Sequence, residues 1–175
     1  SLVGSEMCIR DSVERVAGGD SGACPSSGSI DELRLDSVDG LAVSPDGDLL
    51  VSDSKSAVVH RVDLAEGTYR REAGVGVGGQ GCGLSEECPG PLMDLRGPKG
   101  VAFDSFGHPV LWDETWGVLR IGADGLVHPV TSYNDGRLVT GNLWDYGRPG
   151  VEFRVGLRDI AVDAAGNLVI SDGFR

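Results

Sequence analysis

Three stretches of this chain superpose without a gap: DGLAVSPDGDLLVSD (39–53), KGVAFDSFGHPVLWD (99–113) and RDIAVDAAGNLVISD (158–172). Their starts are 60 and then 59 residues apart. Apolar residues recur at Leu41, Val101 and Ile160, at Ala42, Ala102 and Ala161, and at Val43, Phe103 and Val162. A glycine follows at Gly47, Gly107 and Gly166, then a second apolar run, and aspartate closes each copy at Asp53, Asp113 and Asp172. Short runs rich in Val, Ile and Leu, bounded by Gly and Asp, predict strands. A glycine between two such runs predicts a hairpin, because it accepts positive φ without a Cβ clash.

Two further strands follow in the first copy, AVVHRVDL (57–64) and TYRREAG (68–74). The second copy repeats the pattern with GVLRIGADG and LVHPVTSY. Each unit therefore reads as four antiparallel strands and a long connection. Four-strand units at a fixed period mark a β-propeller blade, which cannot bury its faces alone and must stack on neighbours. The 28 glycines among 175 residues exceed the usual share of about 7% and fit a turn-rich fold. No apolar run reaches the roughly 18 residues of a membrane-spanning helix.

GLAVSPDGDLLVSD, IAVDAAGNLVISD and the RVAGG before the first copy resemble NHL repeats, whose usual form is G-V-A-V-D-x-x-G-N-L-Y-V-A-D. The resemblance covers most of residues 13–175. The second copy departs from it with HPVLWDETW, and all copies lack the family's N-x-R-I after the aspartate. The resemblance implies an all-β fold, a partial β-propeller of NHL type with four-stranded antiparallel blades, akin to six-bladed TolB-like propellers. The expected parts are a blade end at 13–18, blades at 39–74 and 99–131, and a partial blade at 158–175. A closed ring needs about four to eight blades, so the chain reads as a fragment truncated at both ends. Ser1–Ser12, SLVGSEMCIRDS, looks like a translated sequencing adapter and is set apart from fold reasoning; a natural N-terminal segment is the alternative.

The net charge is −12; without Ser1–Ser12 acids fall from 27 to 25 and bases from 15 to 14, leaving −11. Nucleic-acid affinity rests largely on Lys and Arg displacing counterions, and no basic stripe interleaved with aromatics occurs. Nucleic acid is therefore a disfavoured partner. Some NHL proteins do bind RNA, but the acidic balance argues against that here.

The resemblance also implies where function would sit. In propellers of this type strand one lines the tunnel, and the connection into it shares a face with the turn after strand two. The loops 75–98 and 132–157 then lie beside Asp53, Asp113 and Asp172, and Trp112, Trp116 and Trp144 fall towards that face. Exposed aromatics on scaffolded loops make binding anchors; the competing reading packs these indoles between blades. The repeated aspartates read as structural carboxylates accepting backbone N–H bonds, since a feature present in every blade suits architecture better than a single site. The alternative is a ring of ligands.

The tunnel-mouth positions are Asp39, Lys99 and Arg158, and one acid with two bases makes a poor cation site. His60, His108 and His128 fall away from the axis, on strand three, in a turn and on strand four. No catalytic, cofactor-binding or metal-binding residue is assigned. Calcium or zinc enters only in an enzyme alternative, a lactonase-like or peptidyl-hydroxyglycine-lyase-like propeller with a metal held by other blades.

Cys82 and Cys88 bracket a Gly-rich loop and are a candidate disulfide. Free thiols, or a zinc site with Cys24, are the alternatives. A bridge would point to an extracellular or periplasmic setting, free thiols to a cytoplasmic one. GVGVGG at 74–79 satisfies G-x-G-x-x-G, but no helix is predicted after it. Ser21 in GGDSGAC lacks any nucleophile context, and DGD at 46–48 lacks the rest of a calcium loop. The expected function is a non-catalytic scaffold that binds a protein, peptide or glycan through loops on one face, with the propeller hydrolase or lyase as the alternative.

Overall fold

The computed structural model describes residues 15–18, 22, 25–84, 87–134, 137–139, 152–154, 157–163 and 165–172. Those residues form an all-β partial propeller, with no α-helix among them. The first blade runs β2 (Val38–Val43), β3 (Leu49–Asp53), β4 (Val58–Asp63) and β5 (Thr68–Ala73), each antiparallel to the next. The second repeats this with β6 (Pro98–Phe103), β7 (Pro109–Asp113), β8 (Gly117–Ile121) and β9 (Val127–Pro129). The hairpin β13 (Leu157–Val162) and β14 (Leu168–Asp172) opens the third. Gly47, Gly107 and Gly166 sit in the three inner hairpins at φ 94°, 80° and 84°, a left-handed backbone that glycine adopts at no steric cost.

Two features differ from the sequence expectation. The first blade has a fifth strand, β1 (Ser27–Ser29), paired with the outer edge of β5. Three residues without an apolar side chain carry no periodic signal, and backbone pairing with β5 holds them in the sheet. In addition, the stretch read as the loop 132–157 contains a three-stranded sheet, β10 (Ser132–Asn134), β11 (Arg137–Val139) and β12 (Glu152–Arg154). Strands this short fall below the length at which alternation can be read. Arg15–Gly18 join no strand, while Val13 and all of Ser1–Ser12 lie outside the described residues.

The structural repeat starts earlier than the sequence repeat. A one-turn 3-10 helix, Ile30–Glu32, precedes the first blade, and another, Gly90–Leu92, precedes the second. Upstream of the second turn, the Val127 N–H donates to the Cys88 carbonyl at 2.8 Å and the Gly90 N–H donates to the Gly125 carbonyl at 3.0 Å. This is the β1 contact reduced to a bridge. Leu33 and Leu35 follow the first turn as Met93 and Leu95 follow the second, and Leu33 and Met93 are each fully buried.

These wedges set the core. Met93 and Leu95 pack with Leu50, Val59 and Ala73 of the first blade and Val101, Leu111, Leu119 and Ile121 of the second. The next junction joins Ala102, Val110, Trp112 and Val118 to Ile160, with Val162 and Ile170 alongside. On the other side of the first blade, Leu33 packs on Val51, Val62 and Tyr69. Each fully buried aliphatic side chain contributes about 1.5–3 kcal/mol, so the junctions carry most of the stability.

Inner strands come so close at each junction that a side chain would not fit. A Cβ added to Gly40 would lie 2.1 Å from the Lys99 carbonyl oxygen. At Gly100, the equivalent position in the next copy, it would lie 2.8 Å from Asp159 Oδ1 and 3.1 Å from the Ile160 nitrogen.

Candidate functional site

The face at the start of each inner strand is built around the repeated aspartates. Asp53 is fully buried at the end of β3. It accepts N–H bonds from Asp36 (2.7 Å), Ser37 (3.0 Å) and Ser56 (3.2 Å), and a hydroxyl bond from Ser56 (2.8 Å). Burial alone would raise its pKa; the backbone N–H of Asp36, the Ser56 hydroxyl and the other donors outweigh it and hold the carboxyl below its ordinary value. Asp113, also fully buried, accepts N–H bonds from Arg96, Gly97 and Thr115 at 2.9 Å and from Trp116 at 3.1 Å. Each carboxylate thus ties the incoming connection to the turn after strand two. Asp172 ends β14, and its side chain lies outside the described residues.

Trp112 and Trp116 stand in different surroundings. Trp112 is 3% exposed and fills the junction with the third blade, so it presents no anchor at the surface. The β-strand alternation places it on the blade face, in line with the reading that packs these indoles between blades and not with the surface-anchor reading. Trp116 is half-buried, and its Nε1 donates to the Asp94 carbonyl at 2.6 Å. Its ring lies beside Gly83, where an added Cβ would be 3.3 Å away. Trp144 lies outside the described residues.

Cys82 and Cys88 form a disulfide, with Cα atoms 5.6 Å apart. The Cys82 N–H donates to the Leu92 carbonyl at 2.9 Å, and the Asp94 N–H donates to the Cys82 carbonyl at 3.0 Å. Cys88 is buried in the first junction's core. The loop ahead of the second blade is therefore held at Cys82, at Trp116 and at Asp113. Cys24 lies outside the described residues, as does Ser21. Residues 76–79 of the GVGVGG stretch form a turn closed by a Gly79 N–H to Gly76 carbonyl bond of 3.1 Å, with no helix behind it.

At the expected tunnel mouth, Lys99 Nζ lies 3.8 Å from Asp39 Oδ1 and 3.3 Å from Glu114 Oε1. Asp39 also accepts hydroxyl bonds from Ser37, at 3.3 Å, and from Ser54. Arg158 is exposed. Glu114 and Ser54 were not legible as members of this cluster, because each belongs to the turn after strand two.

The histidines separate as their strand positions imply. His60 is 1% exposed on β4, with its ring 5.6 Å from that of Tyr69 in an edge-on arrangement. Burial, and then the charge of Arg71, lower its pKa to about 4 against a weaker opposing pull from Asp53. His108 Nδ1 pairs with Asp104 at 3.2 Å, and His128 Nε2 with Asp124 at 3.1 Å. Among the described residues no three His, Cys, Asp or Glu side chains converge as a metal site would require.

Sequence reasoning also missed Ser52. Its hydroxyl donates across the junction to the Lys99 carbonyl, and lies 3.4 Å from the Gly40 carbonyl of its own blade. The only cue was a serine inside an apolar strand.

The chain resembles solved propeller-like structures. It superposes on a structural genomics protein of unknown function from Bacteroides thetaiotaomicron with a TM-score of 0.55 and 17% identity, over 75% of this chain and 32% of that one. With virginiamycin B lyase from Staphylococcus aureus the TM-score is 0.48 and the identity 14%, over 77% of this chain and 48% of that one. The chain thus spans about a third of the first neighbour and about half of the second. No protein-family model matches it, and no curated protein does.

Proposed function

We propose that this chain is part of a non-catalytic, NHL-type propeller that binds a protein, peptide or glycan through the loops beside Asp53 and Asp113. The observation that carries this reading is the use made of the repeated carboxylates. Asp53 and Asp113 each accept four hydrogen bonds from their own blade surroundings. Residues shared by the blades serve the scaffold, and individuality lies in the loops they hold. The connection ahead of the second blade is tied down by the Cys82–Cys88 disulfide and by the Trp116 bond to Asp94, which lowers the entropic cost of recognition.

Screening the purified full chain against peptide and glycan arrays tests the reading, with Trp116→Ala as the comparison. A ligand whose binding falls at least about tenfold in Trp116→Ala, equivalent to about 1.4 kcal/mol, supports it. Stoichiometric calcium or zinc in the purified protein, coupled to turnover of a lactone or a peptidyl-hydroxyglycine, would replace it with the enzyme reading.

A further inference from the structure

The hairpins β2–β3, β4–β5, β6–β7, β8–β9 and β13–β14 turn at one end of the blades, away from the Asp53 and Asp113 loops. Phe106 stands at the tip of the β6–β7 turn and is 81% exposed. The tip is the residue before the turn glycine. Asp46 takes that position in the first blade and Ala165 in the third, and all three tips are exposed. Exposure there belongs to the turn and not to the edge of an open ring. Phe106 also has both neighbouring blades in place, with Leu95 packed against Leu50 at one junction and Trp112 against Ile160 at the other. Further blades would stack on the first and third and add no neighbour at this tip. The second tip alone carries an aromatic ring, and the His108 ring lies 6.2 Å from it, tilted by 37°.

The turns around that ring carry one sign of charge. Segments 44–48, 63–67, 104–108, 122–126 and 163–167 hold seven carboxylates and no Lys or Arg. Arg61 and Arg120, on the adjoining strands, are already paired with Asp48 at 2.7 Å and Asp104 at 3.3 Å. Among the described residues, Asp46, Asp63, Glu66, Asp124 and Asp163 then pair with no Lys or Arg. Asp63, Asp124 and Asp163 accept N–H groups of their own turns, a structural task that leaves their charge in place. The Leu126 N–H holds Asp124, and the Asn167 side-chain amide holds Asp163, below the ordinary carboxylate value.

An exposed aromatic ring set among carboxylates is the chemistry that recognises a cation, because the ring face is electronegative and the carboxylates meet further charge. A guanidinium suits it better than an ammonium, being planar and more weakly hydrated. Nucleic acid and anionic membrane surfaces are repelled. A second copy of this chain has little to offer. At its opposite end Lys99 is shared between Asp39 and Glu114, and Arg96 is paired with Asp94.

We infer that this hairpin end docks an arginine-rich segment of a partner protein, with one guanidinium lying on the Phe106 ring and others meeting Asp46, Glu66 and Asp163. It is a second surface, independent of the Asp53 and Asp113 loops.

The test uses the full chain and a fluorescent peptide of alternating Arg and Gly, with the citrulline-Gly and Glu-Gly peptides as controls. Saturable binding of the Arg-Gly peptide alone is expected, weakening several-fold as ionic strength rises from about 0.01 M to 0.15 M. Phe106→Ala should weaken it about threefold, the scale of an exposed cation–π contact. Asp46→Asn with Glu66→Gln should weaken it about fivefold, as expected for two exposed charge pairs. The Ser44 hydroxyl, bonded to the Asp48 N–H at 3.0 Å, closes the first turn without Asp46, so this pair keeps the fold. Trp116→Ala should leave the binding as it is, which separates this surface from the loop face. Equal binding of the citrulline peptide, no saturable binding, or indifference to Phe106→Ala would each overturn the proposal. So would self-association of the chain in sedimentation that Phe106→Ala abolishes, which would give the surface to a second copy.

Discussion

The first and second blades share a backbone plan but close their junctions in different ways. At the position before the closing aspartate, the first has Ser52 and the second Trp112. Ser52 reaches across as a hydrogen-bond donor to the Lys99 carbonyl, and the apolar part of that junction includes the Met93 and Leu95 wedge. Trp112 fills its junction directly, against Ile160. The blades differ again one strand further out. His60 stands opposite Val51 where Leu119 stands opposite Leu111, so one blade buries an imidazole where the other buries an aliphatic chain. A propeller blade thus fixes backbone positions and leaves each junction's chemistry free to vary.

The largest test of that contrast is Trp112→Ala. It should cost about 4 kcal/mol, within the range for large-to-small core changes, measured by urea unfolding of the full chain. A loss under about 1 kcal/mol would mean that the second junction collapses around the missing ring.

Acid should act next, and between about pH 6.5 and 4 it should act through His60 of the first blade. His60 has a folded pKa of about 4 against an ordinary 6.5, so the unfolded chain takes up the proton first. Its contribution is intact above about pH 6.5, falls as the pH drops towards 4, and then levels off. The loss amounts to about 3 kcal/mol. His60→Leu, which copies Leu119, should flatten that part of the stability profile; an unchanged slope would place the acid sensitivity elsewhere.

The glycines come third. Gly40→Ala should cost about 2 kcal/mol, because the new Cβ meets a carbonyl that cannot move alone. Gly100→Ala should cost less, since its nearest obstacle is the Asp159 side chain. The reverse order would show that the first junction is the more pliable. Ser52→Ala should have the smallest effect, about 1 kcal/mol for one hydrogen bond. Its loss should be visible as faster amide exchange at the first junction and not at the second.

Much of the architecture was present in the sequence. The recurrence of apolar runs, turn glycines and closing aspartates specified two full blades and the hairpin of a third, because strand alternation and hairpin stereochemistry are local. The fifth strand, the short sheet at 132–154 and the 3-10 turns gave no such signal. Ser-Gly-Ser and other three-residue strands are held by partners distant in the chain. Of the site residues, Asp53 and Asp113 were readable as structural carboxylates because turn chemistry is local. The separation of Trp112 from Trp116 was not, although they stand only four positions apart, because it depends on which neighbouring blade each side chain meets.

The sequence by itself determined the strand order, the hairpin turns and the acidic balance, all of which follow from local backbone preference and composition. Only the tertiary structure decided what those elements do to one another. Gly40 is required by the Lys99 carbonyl of the next blade, Ser52 by the same atom, and His60 is neutral because its burial and the nearby Arg71 oppose its charge. The exposure of Leu41 against the burial of Val101 has the same origin. Stacking brings together residues some 60 positions apart, and no local pattern records which of two equivalent side chains will find a neighbour there.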